Sequence, residues 1–364
     1  MDGSGYSIQS DRIRGTMTVA DVLKRENNNF NLARLILAVS VIVGHAYALA
    51  PSHRKDIIGV LLGFDYSGSL AVKGFFFLSG LLVANSLLVR ADAAEYVKAR
   101  AFRIFPALTV NVLFCALLLG PIVTALPLQE YLSSPGTFRF IYDNVTLSLS
   151  YRLPGVFDDV PYKGAVNGSL WTLPYEVACY LVLLGAYLCG LMRSRYIIAA
   201  LCVAVIADGF FLKVLFSWSK NTQISTLPAC FALGVLAACF KERITVQSSA
   251  LIGLVILAYF GWASPAKVPL FYLAFFYGLL VFSSQGFVRA LVLKWDVSYG
   301  VYLYGFPVQQ ALKWAFPSMG TRENMLAAIP IALALGLASW LWVEKPAMRL
   351  SKAKFRRTAM RVGA

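Results

Sequence analysis

The sequence predicts an all-α polytopic membrane protein: a ten-helix transmembrane bundle with both termini cytoplasmic and one long extracytoplasmic loop. Three observations predict it. The 364 residues are 59% hydrophobic, with a mean hydropathy of +0.67, whereas soluble domains are nearer half apolar. Apolar runs of bilayer-spanning length recur along the chain. The net charge of +15 is carried by short loops and tails between those runs, which is the positive-inside pattern rather than a nucleic-acid-binding face.

The elements follow in order. Residues 1–30 are polar, lack the apolar core of a signal peptide, and read as a cytoplasmic arm. The transmembrane domain, 31–343, holds candidate spans at about 31–50, 68–89, 104–126, 170–191, 196–216, 224–240, 246–263, 268–285, 297–316 and 325–343. An even number returns the chain to its starting side. With the N-terminus inside, the cytoplasmic segments gather Arg12, Arg14, Lys24 and Arg25, then Arg90, Lys98, Arg100 and Arg103, and later Arg193, Arg195, Lys241, Arg243, Arg289 and Lys294. A basic cytoplasmic tail, 344–364, adds more, and this bias sets the orientation.

Only one outer segment is long, 127–168. Its Pro127, Pro135, Gly136, Pro154, Gly155, Pro161 and Gly164 predict ordered irregular structure beside the membrane. The six cysteines lie in or beside apolar segments without zinc spacing and are expected to be buried and unbridged. There is no P-loop, no GxGxxG after a strand, no HExxH and no Cys/His metal set. Nucleotide hydrolysis, dinucleotide binding and metal chemistry are disfavoured.

Chemistry is expected from ionisable groups inside the spans, because such groups are costly there and usually face a protein interior or a water-filled cavity. Arg34 and His45 share the first span. They lie eleven residues apart, about three helical turns and roughly 16 Å, on nearly one face. Orientation puts Arg34 near the cytoplasmic edge and His45 in the outer half. Glu176 in SLWTLPYE should sit at a similar depth to His45, so the two read as a general base with an orienting acid. The alternative for His45 is a buried imidazole bonded to a backbone carbonyl. His53, in a polar outer loop beside Arg54 and Lys55, reads as solvated.

Several residues keep two readings. Arg100 and Arg103 of RAFR are positive-inside anchors or a phosphate clamp. Lys73 snorkels to the outer interface or serves a substrate site. Tyr302, with Tyr299 and Tyr304, is a core or interfacial aromatic or lines a substrate path. In the long loop, Tyr142, Tyr151, Phe157 and Tyr162 could stack on sugar rings and Asp143, Asp158 and Asp159 could bond hydroxyls, or the loop merely caps the bundle behind an aromatic belt. Glu344, Lys345 and Pro346 read as the boundary of the last span.

Together the NNNFNLARL opening, Arg34 ahead of His45, FFFLSGLL, RAFRIFPAL, SLWTLPYE, SYGVYLYGFP and VEKP resemble the membrane acyltransferase 3 family in order and spacing. That family transfers acyl groups onto extracytoplasmic sugars of bacterial surface polysaccharides. The resemblance implies a ten-helix membrane bundle in the bacterial inner membrane and an O-acetyltransferase with acetyl-CoA as co-substrate. It also implies a saccharide acceptor and no permanently bound cofactor. It makes His45 the essential histidine, Arg34 and His45 the Arg-x10-His motif, Arg100 and Arg103 the cytoplasmic Arg-x-x-Arg motif, and Glu176 the acid after Trp-x-Leu. In the mechanism this implies, the donor nucleotide docks at Arg100 and Arg103, and Arg34 contacts phosphates or polar groups along its path. His45 takes the acceptor proton and Glu176 steadies the imidazolium, or His45 itself carries the acetyl group as an acetyl-histidine intermediate. Two positions depart from the pattern: Lys73 stands near a common Asp, and Gly305 stands where a His often precedes Pro. The expectation of a different class is a transporter or flippase of a lipid-linked sugar, whose midplane charges would bind substrate.

Overall fold

The computed structural model describes residues 17–351, apart from 54, 216, 218–221 and 292. Arg12, Arg14, Arg54 and most of the basic tail therefore lie outside the described residues. The described chain is mainly helical, with a single two-stranded sheet among the described residues. Its main helices are α1 (Phe30–Leu49), α2 (Ser67–Arg90), α3 (Ala93–Val123), α4 (Leu128–Ser133), α5 (Pro135–Val145), α6 (Gly168–Leu188), α7 (Arg195–Leu212), α8 (Thr222–Cys239), α9 (Ser248–Phe260), α10 (Lys267–Ser284), α11 (Ser298–Ala315) and α12 (Thr321–Ser351). Seven of these, α1, α2, α3, α6, α7, α10 and α12, are long and apolar enough to cross a bilayer, and α8 and α9 are shorter apolar helices. This is a multi-pass membrane architecture, with helices close to the positions that hydropathy predicts.

The chain divides into two compact units. The first takes in Lys73–Arg90, Val182–Leu293 and the described part of Met1–Ala33. Here residues 17–29 form no loose arm. Met17–Thr18 pairs antiparallel with Thr245–Val246. Thr18 and Asp21 make a capping box that starts a one-turn helix, Val19–Val22, whose two valines are fully buried. Lys24 and Thr18 hold the Asp21 carboxyl at about 2, well below the usual range.

The second unit comprises Arg34–Val72, Ala91–Leu181 and Lys294–Ala364, and it holds nearly every candidate site residue. Asp92 caps α3 through the Glu95 amide at 2.9 Å, so Arg100 and Arg103 lie about two to three turns inside the helix. Helices α11 and α12 are joined by reciprocal amide bonds. Gln309 Nε2 donates to Asn324 Oδ1 at 3.0 Å, and Asn324 Nδ2 donates to the Gln309 carbonyl at 3.0 Å. Polar side chains between apolar helices act in this way as glue.

Three sequence expectations change here. The long loop is not irregular throughout: it carries α4 and α5, and its Phe157 is buried in the left-handed region at φ 59°. The last helix does not stop at Glu344. A π-turn over Trp340–Glu344 absorbs one extra residue and the helix continues to Ser351. Pro346 does not break it, because proline is tolerated where the freed carbonyl finds other partners. Of the cysteines, all are free as expected, but Cys189 is exposed at the end of α6.

Candidate active site

Near the C-terminal end of α1, His45 is half-buried. Its Nδ1 is buried without a hydrogen-bond partner, and its ring meets the edge of Phe306 on α11 at 5.2 Å between centroids. Phe306, Leu49 and Ala165 form one buried cluster around it. An imidazole bonded to a backbone carbonyl, the bland expectation, is not what this helix presents.

Nearby, polar groups of α3, α6 and α11 are bonded to one another. Asn167 caps the 3-10 turn that opens α6, accepting from the Ser169 amide at 3.1 Å. Its own amide donates to Asn111 Oδ1 and to the Leu303 carbonyl, both at 2.9 Å. Tyr302 donates to the Ser169 carbonyl at 2.6 Å and shares a 2.6 Å bond with the Thr172 hydroxyl. That phenol is therefore a strut between α6 and α11 rather than a free substrate ligand. Ser169 Oγ is buried with no partner.

Glu176 does not bond His45 directly. No hydrogen bond or ion pair joins them among the described residues. Glu176 instead accepts from the Tyr180 hydroxyl at 2.5 Å. The reason is local: the two are four apart on one helix face, where side chains are neighbours. Matching depth in the membrane does not imply matching azimuth. Tyr180 also lies under the Arg100 guanidinium, 5.9 Å from its ring centre, so Glu176, Tyr180 and Arg100 form one group.

The two arginines of RAFR have different surroundings. Both terminal nitrogens of Arg103 are engaged within the protein, Nη1 with Glu344 and Nη2 with Asp296, each at 2.7 Å. Its guanidinium also lies over the Tyr299 and Trp340 rings. Arg100 makes no hydrogen bond among the described residues. Arg34 joins the same network through Nη1 to Asp296 at 3.3 Å, while its Nε is buried without a partner. Burial works against charge on Asp296, but Arg103 and Arg34 outweigh it, and a hydrogen bond from Ser298 adds to them, so its carboxyl sits below the ordinary range. Glu344, only 1% exposed, is bonded further by Ser339 at 3.1 Å. Asp296 and this role of Glu344 were missed from sequence. Their one signal is that ARG-bearing and acid-bearing segments share the predicted cytoplasmic side.

The remaining expected residues are dispersed. Lys73 belongs to the first unit, 2% exposed, donating to Gln223 Oε1 at 2.6 Å with its ammonium over the Tyr272 ring. Asp158 and Asp159 are exposed on the long loop and unpaired among the described residues, and His53 is exposed. Gly305 packs against α1: a Cβ there would come within 2.7 Å of Ile42, so a histidine would have to displace that side chain.

An acyltransferase-domain family model matches residues 27–345. The chain belongs to that acyltransferase family. Over 350 aligned residues it is 29% identical to an O-acetyl transferase of Shigella phage Sf6, covering 90% of this chain and 98% of the phage protein. It is 30% identical over 365 residues to nodulation protein 10 of Rhizobium leguminosarum bv. viciae, covering 89% and 94%. It is 23% identical over 320 residues to the exopolysaccharide production protein ExoZ of Rhizobium meliloti, covering 79% and 92%. No solved structure matches. The match encloses every residue of the site above, so this acyltransferase carries His45, Arg34 and the Asp296 network inside its family domain.

Proposed function

We propose that this acyltransferase is a bacterial inner-membrane O-acetyltransferase. It crosses the membrane ten times with both termini cytoplasmic, and moves an acetyl group from cytoplasmic acetyl-CoA to a hydroxyl of an extracytoplasmic saccharide. The observation that carries this reading is His45. Its Nδ1 is buried and unpartnered on a helix whose other end holds Arg34 in an ion network. The relatives, an O-acetyl transferase and an exopolysaccharide production protein, support the group transferred and the kind of acceptor. Transport of a lipid-linked sugar has no support among them.

In this scheme an unprotonated imidazole nitrogen of His45 takes the proton of the acceptor hydroxyl as its oxygen attacks the thioester carbonyl. The C–S bond then breaks, the thiolate takes the proton back from the imidazolium, and the products are free CoA and an acetyl ester. Arg100 and the unpartnered edge of Arg34 meet donor phosphates, since guanidinium forks match phosphate oxygens. Arg103 holds Asp296, and through it Arg34, in place. Glu176 fixes Tyr180 beneath Arg100. Asp158 and Asp159 lie at the rim of the acceptor approach.

The test is acetylation of surface glycans, read by mass spectrometry, in deletion cells complemented with wild type or His45→Ala. General-base loss should reduce transfer by about 10²–10⁴-fold with the protein still inserted. Wild-type acetylation by a well-expressed His45→Ala protein would sink the reading.

A further inference from the structure

Two tyrosines from distant parts of the chain, Tyr66 and Tyr162, pack on neighbours of His45, and no part of the mechanism above uses them. The Tyr66 ring, just ahead of α2, lies against Gly44, the residue before His45. A Cβ built on Gly44 would come within 3.3 Å of that ring, and one on Gly68 within 2.9 Å. The two glycines make a flat shelf that any side chain would fill. Tyr162, in the long loop, meets the edge of Phe306 at 6.0 Å, and the same ring meets His45 at 5.2 Å. The loop is pinned at this point by Gln310, whose amide donates to the carbonyls of Tyr162 and Ala165, each at 2.8 Å.

The two phenols are close enough to influence each other. Burial raises the Tyr66 phenol above its ordinary value, and so do the Asp65 carboxylate and the Tyr162 phenol. Both rings nevertheless stay open, 40% exposed at Tyr66 and 47% at Tyr162. Neither hydroxyl has a hydrogen-bond partner among the described residues. Three buried polar atoms also lack partners on the residues that surround Phe306: His45 Nδ1, Ser169 Oγ and Gln310 Oε1. Buried polar groups are normally satisfied, and each exception asks for an explanation. An unmet polar atom on His45, and others on residues near its neighbour Phe306, are what a site that receives a polar molecule would carry.

We propose that Tyr66 and Tyr162 form the acceptor subsite, holding one saccharide ring against His45. Aromatic rings with a polar edge suit a sugar, whose C–H face packs on the ring while its hydroxyls meet the phenols. An interfacial belt would also use tyrosine, and Tyr142, 68% exposed on α5, fits that description. A belt gives no reason for two rings from separate segments to pack on the neighbours of one histidine, nor for that histidine's unpartnered Nδ1.

This proposal rests on the O-acetyltransferase reading, and its test separates the two. Tyr66→Leu, Tyr162→Leu and their Phe counterparts are expressed in deletion cells, with His45→Ala as the control. Surface-glycan acetylation is measured beside CoA affinity of the purified proteins in nanodiscs. Each Leu variant should lose about tenfold or more of its acetylation, the size of a lost contact at a well-packed binding site. CoA affinity should stay at the wild-type level, and the Phe variants should recover most of the transfer. Wild-type acetylation by both Leu variants, while His45→Ala abolishes it, overturns the subsite alone. A parallel fall in CoA affinity also overturns it, because the rings would then be supporting the whole fold. Acetylation indifferent to His45→Ala overturns the function itself.

Discussion

Replacing Arg103 with Gln should destabilise the protein more than it weakens donor binding. Arg103 bridges Glu344 and Asp296 at 2.7 Å on both sides, and its side chain is 18% exposed. After Arg103→Gln, Asp296 keeps Arg34 at 3.3 Å and Ser298. Glu344, in contrast, keeps only the Ser339 hydroxyl as a side-chain partner among the described residues. Removing one partner of a buried ion pair typically costs about 3–5 kcal/mol, because the other charge is left uncompensated. Glu344→Gln removes the charge that most needs compensation and leaves Arg103 paired with Asp296. Its cost should be about 1.5–3 kcal/mol, that of one charge-assisted bond. The double variant should then be less destabilised than the sum of the singles, by about 0.5–3 kcal/mol. Unfolding in mixed micelles, followed by tryptophan fluorescence during SDS titration, measures all three. Additive effects, or an Arg103→Gln cost below about 1 kcal/mol, would refute the ion-network reasoning and return Arg103 to the role of a free phosphate clamp.

Three further outcomes follow from the same geometry. Arg100→Gln should leave stability nearly unchanged and raise the apparent donor KM, with a loss on the order of 1.5–3 kcal/mol in CoA binding; calorimetry with CoA against dephospho-CoA shows whether the 3′-phosphate is the group held. Asp296 has a depressed carboxyl pKa, so its stabilisation is complete above the unfolded carboxylate pKa of about 3.9 and is lost as pH falls towards the folded value. Thermal unfolding of wild type against Asp296→Asn between neutral and acid pH should therefore converge on the acid side, and curves that stay parallel would remove that assignment. Replacing Asp158 and Asp159 together with Asn should leave the melting temperature and CoA affinity alone, because both are exposed and unpaired, while lowering transfer to the glycan; unchanged transfer would leave the loop a cap.

Much of this protein is legible one-dimensionally because a bilayer acts on the chain one residue at a time. Length and apolarity locate the helices, so α1, α2, α7 and α10 start and stop within a few residues of the expected spans. The same cost of burying charge singles out Arg34 and His45 without any fold. Motif order then supplies the family, which its domain match shows across residues 27–345.

Azimuth and partner choice are not local quantities, and there the sequence stops. Depth alone pairs His45 with Glu176, yet rotation about α6 turns Glu176 to Tyr180. Spacing alone makes Arg100 and Arg103 equivalent, yet only Arg103 faces the acids of the second unit. Glu344 reads as a helix boundary until the π-turn and the continuation of α12 bury it against Arg103. Tyr66 carries no signal in its own segment, because what distinguishes it is the bare backbone of Gly44 and Gly68 beneath its ring. The sequence by itself determined which segments form apolar helices, which ionisable residues lie within them, and the family. Only tertiary structure decided which of those charges neutralise one another and which buried polar atoms stay without a partner, because a buried group's partner is chosen by helix rotation and packing across hundreds of residues of chain.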